Sequence, residues 1–212
     1  MRQRNIKHAP DVLAQHPTLV CMNPDTTFHA PSFFPQSGPL HLEIGSGKGA
    51  FLAGMAHRFP HINFLGMERF DSILIRCLEK TLALALPNLR FIKMDARNLT
   101  DVFAPGQIDT IYLNFSDPWH KKRHAKRRLT HTRFLSRYKE VLSPKGELIF
   151  KTDNRPLFEF SLLEMHRFGM TLDEICLDLH AQEPEDNIRT EYEEKWSARG
   201  STIYRLKGCF RK

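Results

Sequence analysis

Two stretches of the chain hold residues whose types and spacing can do chemistry. The first is Leu42-Glu43-Ile44-Gly45-Ser46-Gly47-Lys48-Gly49-Ala50, with three glycines at alternate positions where a short apolar run gives way to helical spacing. Such a loop lets backbone approach a ligand closely. A phosphate-binding P-loop would need Gly at the position of Leu42 and Ser or Thr at that of Gly49, so it fails. A dinucleotide site needs G-x-G-x-x-G/A, which Gly45, Gly47 and Ala50 satisfy, with Glu68 ending the next strand as a ribose acceptor. S-adenosylmethionine is the third reading. Its cationic sulfonium and amino group favour an acid just before the glycines, where a pyrophosphate would be repelled, and Glu43 stands there.

The second stretch runs from Asn114 to Arg128. Asp117-Pro118-Trp119 supplies a carboxylate, a rigid turn and an aromatic face, and six of the nine residues after Trp119 are Lys or Arg with no acid among them. A basic run alone is usually a solvated face. Here it follows a strand whose end should border the ligand crevice, so phosphates held by Lys121, Lys122, Arg123, Lys126, Arg127 and Arg128 would bring a nucleic acid to the reacting centre. His120 and His124 lie four apart, but no third ligand accompanies them and the surrounding positive charge opposes a cation. No metal site is expected.

The elements that must position these residues follow a βαβ rhythm from Leu40 onward. Strands are expected at 40–44, 62–67, 89–94, 108–114 and 147–151. Helices are expected at 50–59, 71–86 and 132–142, the last capped by Thr130 or Thr132, with a further helix starting at Asp153 or Asn154 and holding Pro156 in its first turn. From Met170 the pattern reads as more strand, interrupted by a loop around Pro184. Residues 1–38 lack a sustained period and read as an irregular arm before a single domain over 39–212. Arg2, Arg4 and Lys7 of the arm could order on RNA. In a doubly wound sheet the first and fourth of these strands flank the topological switch point, so the glycine loop and the Asn114 stretch are expected to face each other.

Composition agrees with one α/β core and a polyanionic partner: 212 residues, 41% hydrophobic, with 31 Lys and Arg against 24 Asp and Glu, a formal charge of +7. Cys21, Cys77, Cys176 and Cys209 form no Cys-x-x-Cys pair, which argues against a zinc cluster or a redox motif. The opening MRQRNIKHAP has no apolar core of a signal peptide and no stretch is long enough to span a bilayer, so a cytoplasmic location is expected.

Glu43 before Gly45, Gly47 and Gly49, with Glu68 closing the next strand, resembles the first motifs of class I methyltransferases. The match narrows at Asn114-Phe115-Ser116-Asp117-Pro118-Trp119 with the basic run behind it, at Phe150-Lys151-Thr152-Asp153-Asn154 and at Thr190-Glu191-Tyr192-Glu193-Glu194-Lys195-Trp196, which together resemble the bacterial tRNA (guanine-N7) methyltransferases over nearly the whole chain. His120 departs from that pattern, in which Pro is frequent. The resemblance implies an α/β Rossmann-like fold with a mostly parallel seven-stranded sheet and helices on both faces. It implies an S-adenosylmethionine site at Glu43, Gly45, Gly47, Glu68, Asp95, Ala96 and Asp117, with Asp117 also catalytic. Lys121, Asp153, Thr190, Glu191, Tyr192 and Glu193 would bind the guanine, and Arg123, His124, Ala125, Lys126, Arg127 and Arg128 would contact RNA. The implied partner is tRNA, with the enzyme a monomer or homodimer. Each carboxylate has a blander alternative as a helix cap, Asp153 above all, and Thr190 to Trp196 could be one amphipathic turn. A methyltransferase acting on another RNA, a protein or a small molecule is the competing function.

Overall fold

Strands buried on both faces must be apolar almost throughout, and the chain meets that demand in successive short runs. The computed structural model describes residues 6–26, 28–181, 183–185 and 187–210, which fall into two compact units, Met1–Ala104 and Pro105–Lys212.

The first unit contains α1 (Ala9–Ala14), β1 (Val20–Cys21), a 3-10 turn (Ala30–Phe33), β2 (Leu40–Ile44), α2 (Ala50–Arg58), β3 (Asn63–Glu68), α3 (Asp71–Leu84), β4 (Leu89–Lys93), a second 3-10 turn (Ala96–Asn98) and α4 (Leu99–Val102). Its strands lie in the order β1-β4-β3-β2, all parallel. Every residue of β3 is buried, and Leu42, Leu65, Phe64, Leu89 and Phe91 are fully so; Leu52 of α2 and Leu74 and Leu78 of α3, the helices that lie against β3 and β4, are buried with them. The register pairs Ile44 with Met67 and Glu68 with Lys93. Glu68 therefore stands one residue past the end of β2, level with the start of the glycine turn.

The second unit contains β5 (Ile108–Asn114), a 3-10 segment (Lys122–Arg127), α5 (Thr132–Val141), β6 (Leu142–Thr152), α6 (Arg155–Arg167), β7 (Thr171–Cys176), α7 (Glu191–Ser197) and β8 (Tyr204–Cys209). The order is β5-β6-β8-β7, with β5 and β6 parallel and β8 antiparallel to both neighbours. Phe134, Leu135, Tyr138 and Val141 form the buried stripe of α5.

The expected Rossmann-like α/β fold is therefore present, with eight strands where seven were expected. The extra strand is β1, a two-residue edge held to β4 by Phe91 N–H donating to Leu19 O at 2.8 Å. The stretch read as irregular thus holds a helix and an edge strand, with Ala9 and Leu13 of α1 fully buried and Ile6 N–H bonded to Ser72 Oγ at 3.0 Å. A six-residue helix and a two-residue strand are too short to set up a period. Lys7 is exposed, while Arg2 and Arg4 lie outside the described residues.

Three further differences have local causes. The N-cap of α5 is His131, whose ring accepts from Arg133 N–H at 3.2 Å; Thr130 is buried instead, its hydroxyl 2.7 Å from that of Ser161. Strand β6 begins five residues early because a register irregularity opposite Ile108 to Thr110 absorbs Pro144 and Gly146. Helix α7 stands where strand and loop were expected, with one amphipathic turn over Thr190 to Trp196 as the alternative. Thr190 accepts from Glu193 N–H at 2.9 Å and Glu193 reaches back to Thr190 N–H, a capping box whose T-x-x-E signature was available in the sequence.

Candidate active site

The first unit gathers its candidate residues at the carboxyl ends of β2, β3 and β4. Gly45 and Gly47 have φ of +83° and +54°, a region that side chains with a Cβ rarely enter, and a Cβ built at either would meet no atom within 4 Å. Conformation and open space together suit a loop over which a ligand lies. Gly45 and Ser46 N–H both donate to Met67 O, at 2.8 and 3.1 Å, tying the turn to β3. Beneath it the buried Cys77 thiol donates to Gly47 O at 3.0 Å, and burial pushes that thiol up to about 12. Cys77 is a support that cysteine spacing could not reveal.

Glu43 is 2% exposed, the second-last residue of β2 before the glycines. Glu68 is also buried and accepts Arg69 N–H at 2.7 Å and Phe70 N–H at 3.3 Å through Oε1. Desolvation raises its carboxyl above the usual range, against the pull of the Arg69, Phe70 and Gly47 main chain. A buried carboxylate at this level is a ready partner for vicinal hydroxyls. Asp95 takes the helix-cap role: it caps the 3-10 turn through Arg97 N–H at 2.9 Å and pairs with Arg69 Nε at 3.2 Å. Partial burial pulls its carboxyl up, but hydrogen bonds from Arg97 and the charges of Arg69 and Arg97 outweigh that and hold it low. Ala96 beside it is buried.

In the second unit, β5 ends at the buried Asn114 and the chain turns sharply. Phe115 and Trp119 have φ of +52° and +45°, so two bulky residues adopt the left-handed region, each two positions from Asp117. Phe115 N–H donates to Lys151 O at 2.9 Å and its ring lies 4.9 Å from that of Tyr192. Asp117 is exposed. Lys121 caps the 3-10 segment as an exposed residue, and none of residues 122–127 is buried. Arg127 stacks its guanidinium 4.9 Å from the Trp119 ring, with His124 edge-on to it at 5.8 Å. The segment is 3-10 rather than α-helical, so His120 and His124 lack the one-face helical spacing that shared ligation would use.

Asp153 does not cap α6. Asn154 does, accepting Leu157 N–H at 2.9 Å, while Asp153 Oδ2 accepts the Tyr192 hydroxyl at 3.0 Å. Partial burial, then the Asp153 charge, push that hydroxyl up to about 12. The structure thus joins Asp153, Tyr192 and Phe115 in one cluster at the ends of β5 and β6, with Glu191 exposed at its rim and Thr190 buried as the cap of α7.

Glu193 turns inward. It is fully buried and receives Lys151 Nζ at 2.6 Å, His180 Nε2 at 3.0 Å and Asn187 Nδ2 at 3.2 Å. Burial raises its carboxyl, but the Lys151 charge and hydrogen bond outweigh that and lower it. Lys151 also donates to Asn187 Oδ1 and Ile188 O, at 3.1 and 3.2 Å, so one ammonium ties the loop before α7 to β6. Sequence reading did not nominate Lys151, His180 or Asn187. The signal was a lysine closing the apolar run of β6, a buried charge that demands a partner. Glu183 completes the network, paired with Arg189, whose hydrogen bonds lower its carboxyl to about 2. His180, Glu183 and Glu193 form the one grouping of potential metal ligands among the described residues, and both carboxylates are already answered by Lys151 and Arg189.

Comparison with known proteins places this architecture. A family model described as "Putative methyltransferase" matches residues 37–206. The chain is 48% identical over 211 residues to the tRNA (guanine-N(7)-)-methyltransferase of Streptococcus sanguinis (strain SK36), covering 99% of this chain and 100% of the relative. It is 50% identical over 210 residues to that of Macrococcus caseolyticus (strain JCSC5402), with 99% and 100% covered. Among solved structures, a SAM dependent methyltransferase from Aquifex aeolicus superposes with a TM-score of 0.58 at 13% identity over 94% of this chain and 97% of that one. An antibiotic related methyltransferase does so at 0.61 and 16% identity, over 84% and 89%. These two share the fold, whereas the full-length relatives share the sequence itself: the chain belongs to the tRNA (guanine-N7) methyltransferase family.

Proposed function

We propose that the protein transfers a methyl group from S-adenosylmethionine to N7 of a guanine in tRNA, with a variable-loop guanine as the target. The observation that carries this reading is the full-length match to enzymes of that name, at about half of all positions. The site chemistry supports it. The residues fit the cofactor: Gly45 and Gly47 leave open space over a left-handed turn, and the buried Glu43 and Glu68 end the strands beside them. Glu68 would accept the ribose hydroxyls, Glu43 would offset positive charge, and Asp95 with Ala96 would face the adenine. The cofactor supplies an electrophilic methyl on a sulfonium.

Guanine N7 carries an in-plane lone pair that is free near neutral pH, so no strong base is needed. The work left to the chain is alignment and charge. Asp117 is assigned the positive charge that develops on the purine as the methyl arrives, or a hydrogen bond that orients the base. Asp153 and Tyr192, already bonded to each other, offer an acceptor and an aromatic face to the same guanine, with Lys121 nearby in sequence to Asp117. Glu193 contributes through its buried grip on Lys151. The exposed cations Lys122, Arg123, Lys126 and Arg127, with His124 and Ala125, form the RNA-contact segment, held to phosphates rather than bases.

We keep residues 39–212 as one methyltransferase domain, which the extent of the family match supports. No helix among the described residues is long and apolar enough to cross a membrane, and a tRNA substrate agrees with a cytoplasmic setting. The test is transfer of labelled methyl from S-adenosylmethionine to unmodified tRNA. Label in tRNA, and none in double-stranded DNA or added protein, is expected; label only in protein or a small molecule would replace this reading with the competing one.

A further inference from the structure

Six Lys and Arg residues follow Trp119, and the structure separates one of them from the rest. Lys121, Lys122, Arg123, Lys126 and Arg127 are exposed, whereas Arg128 is half-buried. Its Nε donates to Pro118 O at 2.9 Å and its Nη2 to Trp119 O at 3.2 Å, and its guanidinium lies 4.3 Å from the centre of the Phe160 ring on α6. Two adjacent carbonyls thus receive one planar fork whose face is covered by an aromatic ring.

We propose that Arg128 is a positioning residue that clamps the Asp117-Pro118-Trp119 turn for methyl transfer, and that it is not one of the phosphate contacts. The proposal rests on the assignment of Asp117 to the reacting guanine. Its physical basis is the strain on either side of that acid. Phe115 and Trp119 both sit at positive φ, a strained region for non-glycine residues. Such a turn persists only where its surroundings over-determine it. Phe115 is fixed by Lys151 O and by the Tyr192 ring, so the entry to the turn is held. At the exit, the fork of Arg128 bonds the carbonyl of Trp119 itself and the one before it. The ring contacts of the strained Trp119 with Arg127 and His124 both come from the basic segment itself, so they do not tie it to the body of the unit as Arg128 does. Lysine cannot substitute, because a single ammonium cannot present two parallel N–H groups and a stacking face at once.

The experiment uses the full-length protein with unmodified tRNA and compares Arg128→Gln, Arg128→Lys and Arg123→Gln. Arg128→Gln and Arg128→Lys are both expected to lower the single-turnover methylation rate at saturating tRNA by about tenfold or more, since a small misplacement of a reacting group is that costly. Both should leave the dependence of tRNA affinity on salt as in the parent. Arg123→Gln should instead flatten that dependence by about one unit of log–log slope. Recovery of the full rate by Arg128→Lys, or a flattened slope at full rate in Arg128→Gln, would overturn the proposal. Should Arg128→Gln fail to fold, Phe160→Leu removes only the ring under the guanidinium; a reduced rate at unchanged slope supports the clamp and a full rate overturns it. Trp119 emission, read in a Trp196→Phe background without RNA, reports the turn independently of Asp117. A changed emission in Arg128→Gln supports the clamp even where Asp117→Asn shows that acid to be dispensable, and unchanged emission overturns it.

Discussion

Lys151 and Glu193, 42 positions apart in sequence, form an ion pair at 2.6 Å with both side chains buried. It joins the end of β6 to the first turn of α7, and so fixes Tyr192 against Asp153. Removing one partner strands the other charge away from water. Glu193→Ala should therefore destabilise the protein by about 3–5 kcal/mol in urea unfolding, and the double variant Lys151→Met with Glu193→Leu should recover most of that loss. A double variant as unstable as the sum of the single ones would contradict this account of the pair.

The same network sets an acid limit. Glu193 and Glu183 are both held below the ordinary glutamate value of 4.5, Glu183 at about 2. A depressed carboxyl stabilises the fold fully above its unfolded value and loses that contribution as pH falls through the folded one. The urea midpoint should thus fall between about pH 4.5 and pH 2. Glu183→Gln should lower the midpoint at neutral pH and make the fall with acid shallower. A fall unchanged in depth would contradict the assignment.

The opposite sign holds at Glu68, whose carboxyl is raised chiefly by burial. The folded state disfavours its charge, while a glutamine at this position keeps an oxygen for Arg69 and Phe70 N–H. Glu68→Gln should raise the melting temperature of the cofactor-free protein by about 2–4 °C, as a gain of about 1 kcal/mol does in a chain of this size. It should also weaken S-adenosylmethionine binding by about tenfold or more in calorimetry, because charge-assisted bonds to the ribose are lost. Unaltered cofactor affinity would remove Glu68 from the site.

Much of this was legible in the sequence, and the parts that were not share a cause. Strands β2 and β5 and the starts of α2, α3 and α5 match their expected positions because apolar period and glycine punctuation are local signals. The glycine turn after β2 and the basic stretch after Trp119 were equally local signals. What escaped were features whose stabilisation comes from distant residues: α1 resting on α3, β1 pairing with β4, and the Lys151 to Glu193 pair. Helix α7 was legible only as an alternative, one amphipathic turn over Thr190 to Trp196, although its capping box is written in Thr190 to Glu193, since seven residues are too few for an apolar stripe to appear. The helix-cap alternatives divided on geometry alone: Asp95 caps a turn, and Asn154 relieves Asp153 of that task.

Asp117→Asn keeps the shape of the side chain and removes its charge. If that carboxylate stabilises the charge developing on the purine, single-turnover methylation should fall about a hundredfold or more, the scale of losing one electrostatic contact in a transition state. Cofactor affinity should change less than threefold, an expectation of roughly 0.6 kcal/mol at most. Equal loss of rate and cofactor affinity would assign Asp117 to cofactor binding alone.

The most direct measurement is the position of the transferred methyl. Unmodified tRNA methylated by the protein with labelled S-adenosylmethionine is reduced and treated with aniline, which cleaves the strand at N7-methylated guanine. One cleavage in the variable loop, in register with the label, is the predicted result. Labelled tRNA that resists cleavage would contradict N7 as the acceptor and with it the chemistry assigned to Asp117.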